Sequence, residues 1–98
     1  MSDGSMAKVR VGLAGNVREI VGQKEIEVCV ENPTIFGLIE AMTNTYGEKF
    51  RLAILDASAK ELRVIVVKND QAIDFLQGLG TPLRDGDRVM FLPPVAGG

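Results

Sequence analysis

Thr81-Pro82-Leu83-Arg84-Asp85-Gly86-Asp87-Arg88-Val89-Met90-Phe91-Leu92-Pro93-Pro94-Val95-Ala96-Gly97-Gly98 holds a turn, a strand, a break and a glycine tail. Asp85-Gly86-Asp87 is a turn sequence, because Asp-Gly favours tight reversal. Residues 88–92 come next as a strand, with Val89 and Phe91 on one face and Met90 and Leu92 on the other. Pro93 and Pro94 end the pairing, since neither has an N–H to give. The last residues are thin, ending in Gly97 and Gly98. Two such glycines arise by chance in roughly 0.5% of chains, so alone they say little. Their meaning depends on the domain in front of them.

Upstream, the order of elements is legible. Residues 8–13 alternate, with Val9, Val11 and Leu13 on one face. A loop through Gly15, Asn16 and Gly22 is expected next, anchored by Val17, Ile20 and Val21. Residues 25–31 alternate again, with Ile26, Val28 and Val30 inward, so an antiparallel pair with the first strand is expected. Asn32-Pro33-Thr34 signals a helix start. Ile35, Leu38, Ile39, Met42 and Tyr46 then recur at helical spacing, and Gly47 stands where a C-terminal cap belongs. Phe50, Leu52, Ile54 and Leu55 read as a short irregular apolar segment.

Residues 62–67 are the most apolar strand, with apolar residues on both faces. That predicts a central position, or one face covered by a partner. Asn69-Asp70 is the next turn, and residues 72–76 are a short edge strand. One main helix over a mixed sheet is an α+β design. With the first and last strands side by side it becomes a β-grasp, ubiquitin-like fold. The expected domain spans residues 7–94, after an N-terminal extension or cloning remnant at 1–6 and before a flexible reactive tail at 95–98.

Composition excludes several functions. The 98 residues are 46% apolar and 24% charged, enough for one small core. The net charge of −2 and the scattered Lys and Arg residues give no footprint for nucleic acid or an anionic membrane. No apolar run approaches membrane-spanning length, and the first residues have no signal-peptide core. One cysteine, Cys29, forms no internal disulfide, which suits a reducing cytoplasm. It stands on the outward side of its strand beside Glu25, Glu27 and Glu31, and reads as an inert strand cysteine.

Catalytic chemistry is missing. There is no histidine, and no hydroxyl, thiol or carboxyl group sits in an activating motif. With one Cys and no His, a zinc site is not expected. No phosphate-binding glycine loop occurs: Gly78-Leu79-Gly80 lacks a third glycine, and Asp85 and Asp87 belong to a turn. The chain reads as non-catalytic.

From Val9 to Gly98 the chain resembles the small sulfur-carrier subunits of molybdopterin synthase, the MoaD type, which belong with ThiS and ubiquitin-like proteins. Four stretches carry the resemblance: Val17-Arg18-Glu19-Ile20-Val21-Gly22; Pro33-Thr34-Ile35 with Leu38-Ile39-Glu40-Ala41; Thr81 to Val89; and Phe91 to Gly98. The tail is the most specific of them. Asn69-Asp70 departs from a frequent Asn-Gly, and Phe36 from a small or polar residue.

The resemblance implies a mechanism. A MoeB-like enzyme would use ATP to adenylate the Gly98 carboxylate, and persulfide sulfur would then displace AMP. The resulting thiocarboxylate would deliver sulfur to a pterin precursor in a MoaE-like large subunit. The carrier itself would bind no cofactor. Two alternatives stay open: a ubiquitin-like modifier joined to lysines through Gly98, and a ThiS-like carrier for thiamine. The tail residues suit such work. Gly98 has no Cβ to crowd the acyl carbon, and Gly97 passes a narrow channel. Pro93 and Pro94 stiffen the exit, and Val95 and Ala96 complete the inserted segment. Ile65, Val67, Met90 and Leu92 form the expected docking face, outward if Val64, Val66, Val89 and Phe91 face in. Phe36 is expected to pack under a neighbouring loop.

Overall fold

A computed structural model describes residues 6–56, 58, 61–73 and 78–93. The predicted alternation is realised in β1 (Ala7–Leu13), whose residues are buried and exposed in turn. β2 (Glu25–Val30) pairs with it antiparallel, Val9 opposite Val28 and Val11 opposite Ile26. β5 (Arg88–Leu92) lies on the other side of β1 and runs parallel to it, Val11 opposite Val89 and Leu13 opposite Phe91. β3 (Ile65–Lys68) pairs antiparallel with β5, and the two-residue β4 (Gln71–Ala72) closes that edge. The sheet order is β2-β1-β5-β3-β4, with the first and last strands adjacent. This is the mixed sheet of a β-grasp fold.

Three helices cover one face. The main one is α2 (Ile35–Tyr46), whose buried residues Ile35, Leu38, Ile39 and Met42 match the predicted spacing. Thr34 caps it, its Oγ1 accepting from the Gly37 N–H at 3.0 Å, so one orphan donor of the first turn is satisfied. Gly37 has no alternative residue. A Cβ there would collide with the Asn32 backbone carbonyl, which cannot move without breaking the helix entry. That entry is held from outside: Ile35 N–H donates to Thr81 C=O at 3.0 Å and Leu83 N–H to Pro33 C=O at 2.7 Å.

Several expectations need correction. The segment from Gly15 is not a loop but α1 (Gly15–Val21), ended by Gly22, whose N–H reaches Arg18 C=O. Val17 and Val21 are one turn apart and both buried, which is the reason it coils. The segment around Phe50 is not irregular but α3 (Glu48–Ile54), with Phe50 and Ile54 likewise i,i+4 and buried. Leu52 on the opposite side is exposed, which hid the helical period. The apolar strand is shorter than residues 62–67 and is not central; β5 holds the middle, and β3 stands next to the edge. Of residues 72–76, Ala72 is in β4, Ile73 is buried, and the remainder lies outside the described residues. Phe36 is not packed under a loop; 39% of it meets solvent.

The core lies between sheet and helices. Val9, Val11, Val66, Val89 and Phe91 from the sheet meet Leu38, Ile39, Met42, Phe50 and Ile54. Phe50 and Phe91 pack edge to face, with ring centroids 6.0 Å apart. Among the described residues no helix is long and apolar enough to cross a membrane.

Candidate functional site

The end of β5 is where the tail begins, and it is anchored at both ends of the strand. Before the strand, Asp85-Gly86-Asp87 turns as predicted. Asp85 Oδ1 accepts from the Lys8 N–H at 2.8 Å, and the Gly86 N–H donates to Lys8 C=O at 2.9 Å. Asp87 accepts from the Arg84 N–H at 2.7 Å and from Asn69 Nδ2 at 3.0 Å, with Lys68 Nζ 3.6 Å away. Burial alone would raise the Asp87 pKa, but the Arg84 backbone, the Asn69 amide and the Lys68 charge outweigh it and hold the carboxyl below its usual range. Asn69 and Asp70 take the left-handed turn, with φ of 49° and 71°. These carboxylates are structural straps. Among the described residues no group of His, Cys, Asp and Glu is placed to hold a metal.

After the strand, Leu92 is half-buried and Pro93 is exposed. Pro94, Val95, Ala96, Gly97 and Gly98 lie outside the described residues. The ladder between β1 and β5 extends one step beyond Leu13, the Ala14 N–H donating to Phe91 C=O at 3.2 Å. The chain of β1 then enters α1 through Gly15, against which Pro93 lies. No signal in the sequence marks this neighbour. Gly15 stands far from Pro93 in the chain, and a glycine between strand and helix reads as punctuation.

The four apolar residues expected to face outward come together. Ile65 is opposite Leu92 and Val67 is opposite Met90, on the two adjacent strands β3 and β5. Their neighbours in sequence, Val66, Val89 and Phe91, are buried on the inner face. Ile65 is 37% exposed, and the other three are partly exposed. Met90 also lies over Gly12, where a Cβ would come within 3.3 Å of its Cγ. Toward β2 the outer face becomes charged, with Arg10 Nε 3.2 Å from Glu25 Oε2. Cys29 is exposed on that same strand. An apolar patch thus sits on the outer face beside the base of the tail, with charged groups flanking it.

Comparison with known proteins identifies the family. The ThiS family model matches residues 11–98. The chain belongs to the ThiS family, a family of ubiquitin-like sulfur carriers. It is 38% identical over 82 residues to small archaeal modifier protein 3 of Haloferax volcanii, covering 83% of this chain and 88% of that protein. It is 32% identical over 90 residues to the molybdopterin synthase sulfur carrier subunit of Escherichia coli, covering 92% and 99%. The solution structure of small archaeal modifier protein 1 from Methanosarcina acetivorans superposes with a TM-score of 0.81 at 29% identity, over 97% of this chain and 100% of that one. Members of this family are generally non-catalytic.

Proposed function

We propose that this ThiS-family chain carries sulfur as a thiocarboxylate on Gly98 and delivers it in molybdopterin synthesis. The observation that supports this most is its likeness to the E. coli sulfur carrier subunit over nearly that protein's whole length. A carboxylate cannot expel oxide, so a MoeB-like enzyme first transfers AMP from ATP to the Gly98 carboxylate and releases pyrophosphate. The terminal sulfur of a donor persulfide then attacks the acyl carbon and AMP leaves; a second thiol attacks the donor-side sulfur of the acyl disulfide, becomes joined to the donor as a disulfide, and frees the thiocarboxylate. A MoaE-like subunit receives it at its active site. The chain holds no nucleotide of its own in this scheme; ATP belongs to the activating enzyme.

The tail of residues 93–98 is the inserted element, and the outer patch of Ile65, Val67, Met90 and Leu92 is the docking face. The five residues after Pro93 span at most about 17 Å when extended, enough to reach a buried acyl-transfer centre from a docked domain. Mass spectrometry after incubation with a MoeB-like enzyme, ATP and a persulfide donor tests the reading. Exchange of one oxygen for sulfur at Gly98 is expected; an unchanged mass under every activating condition overturns it.

A second reading has its own observation, the 38% identity to an archaeal modifier protein. In it, the same acyl-adenylate ends as an isopeptide bond to a lysine. A ladder of tagged conjugates on denaturing gels, lost when Gly97 and Gly98 are deleted, would favour that reading. Both share the first step, activation of the Gly98 carboxylate.

A further inference from the structure

We infer that the groove between β2 and α2 takes an extended segment of another protein in which basic and apolar residues alternate, bound as an added strand on the β2 edge. This surface lies apart from the outer patch of β3 and β5, and its occupancy does not depend on activation of Gly98. β2 is one edge of the sheet. The Leu13 N–H donates to Lys24 C=O at 2.8 Å, which fixes the parity of the ladder between β1 and β2. With the observed register, Ile26, Val28 and Val30 exchange hydrogen bonds with β1. Glu25, Glu27 and Cys29 therefore direct their N–H and C=O groups away from the sheet. Arg10 obeys the same parity: it lies opposite Glu27, yet its N–H donates to Asp87 C=O at 2.9 Å on the other side. Among the described residues nothing pairs with the outward groups of β2.

Beside that edge the helix leaves room. A hollow of about 350 Å³ is bordered by Cys29, Glu31, Phe36, Gly37 and Ala41, and a second of about 270 Å³ by Val28, Cys29, Ala41 and Tyr46. Cys29 and Ala41 border both, so the two hollows adjoin along β2. Gly37 and Ala41 are one helical turn apart, and their small size opens the helix wall. The exposed Phe36 stands at one end of the groove and the half-buried Tyr46 at the other. A strand added to β2 alternates its side chains between the two faces of the sheet. One set falls into the groove, against Ile26, Val28 and Ala41. The other set lies on the outer face, beside Glu25, Glu27 and Cys29.

Charge selects the occupant. Neither β2 nor α2 contains a Lys or Arg. Glu27, Glu31 and Glu40 are exposed and make no ion pair among the described residues. Glu31 and Glu40 meet at the first hollow, one from each wall. Lys8 and Arg10 stand one strand farther in, about 5 Å beyond β2, and Arg10 is engaged by Glu25. A second copy is a poor occupant, because pairing β2 with β2 would set glutamates against glutamates, and like charges on facing strands repel. A segment with Lys or Arg on its outer positions and apolar side chains toward α2 satisfies both faces at once.

The test is a nuclear magnetic resonance titration of the full chain with the capped peptide Lys-Val-Lys-Val-Lys-Val-Lys. It is expected to bind at least about tenfold tighter than a peptide of the same composition with its lysines and valines segregated. Amide exchange at Glu27 and Cys29 should slow on binding, while Val28, already bonded to β1, keeps its rate. Ala41→Leu fills the groove and should weaken binding about tenfold or more. The double variant Glu27→Gln with Glu40→Gln alters only exposed side chains, so its melting temperature should match the wild type. It should also bind about tenfold more weakly, with a smaller dependence on salt. Equal affinity for the two peptides overturns the inference, as do unprotected Glu27 and Cys29 amides in the saturated complex or full binding by the glutamine variant. Protection of those amides without peptide, in a dimer seen by sedimentation, also overturns it. None of these outcomes bears on Gly98, whose activation is read separately by mass.

Discussion

The two faces of the sheet are built from the same strands and have opposite fates. On the inner face Val66, Val89 and Phe91 are essentially fully buried beneath helices. On the outer face Ile65, Val67, Met90 and Leu92, one residue away in each strand, form an apolar patch with no helix over it among the described residues. Alternation explains the first face by itself, because one buried side suffices for a half-exposed sheet. It does not explain the second. An exposed apolar patch of this kind is what the proposed docking role requires. The contrast separates what holds the domain together from the face we propose as its docking surface.

Substitutions can break or sharpen that contrast. The largest effect belongs to the inner face. Phe91→Ala removes the ring packed against Phe50 and should cost about 3–5 kcal/mol in urea unfolding. A loss under about 1 kcal/mol would mean that the inner face is not the closed core. Gly37→Ala comes next, at about 2–3 kcal/mol, because its methyl would meet the Asn32 carbonyl at the entry to α2. A wild-type melting temperature for that variant would show that the helix entry is looser than described.

The outer face should respond the other way round. Ile65→Asp should change stability by less than about 1 kcal/mol. It should weaken association with an activating or sulfur-accepting partner tenfold or more, read by calorimetric titration. If it unfolds the domain and spares binding, the assignment of the two faces is wrong.

A smaller effect, about 1 kcal/mol, is expected at the strap before β5. The Asp87 carboxyl titrates below its unfolded value of about 3.9. Its contribution is therefore present above that pH and is lost as pH falls through the lower, folded value. Asp87→Asn should flatten the acid limb of a stability–pH curve below about pH 4 and leave the tail's activation unchanged. The smallest effect is at the outer rim, where Glu25→Ala should cost no more than about 0.5 kcal/mol, since Arg10 and Glu25 are both well exposed.

Much of the fold was legible because its signals are local. The parity of Val9, Val11 and Leu13, the spacing from Ile35 to Tyr46, the Thr34 cap and the Asp85-Gly86-Asp87 turn each depend on residues within a few positions. The same parity predicted correctly that Ile65, Val67, Met90 and Leu92 share a face. α1 and α3 were missed because seven residues hold barely two turns, too few for a period to stand out. The exposed Leu52 further blurred α3. The apolarity of residues 62–67 predicts a central position or a face covered by a partner; β3 instead stands next to the edge, and among the described residues its outer face carries the partly exposed Ile65 and Val67.

By itself, then, the sequence determined which side of each element is apolar, where the main helix begins and ends, and that a thin glycine tail comes after a proline break. Those properties arise from steric and hydrogen-bonding rules acting over one turn or one pleat. Only the tertiary structure decided that β1 lies beside β5, that α1 replaces a loop, and that Pro93 rests on Gly15. Each of these joins residues far apart in the chain. Such contacts are selected by how the whole apolar surface can be buried at once, a condition that no local stretch of residues contains.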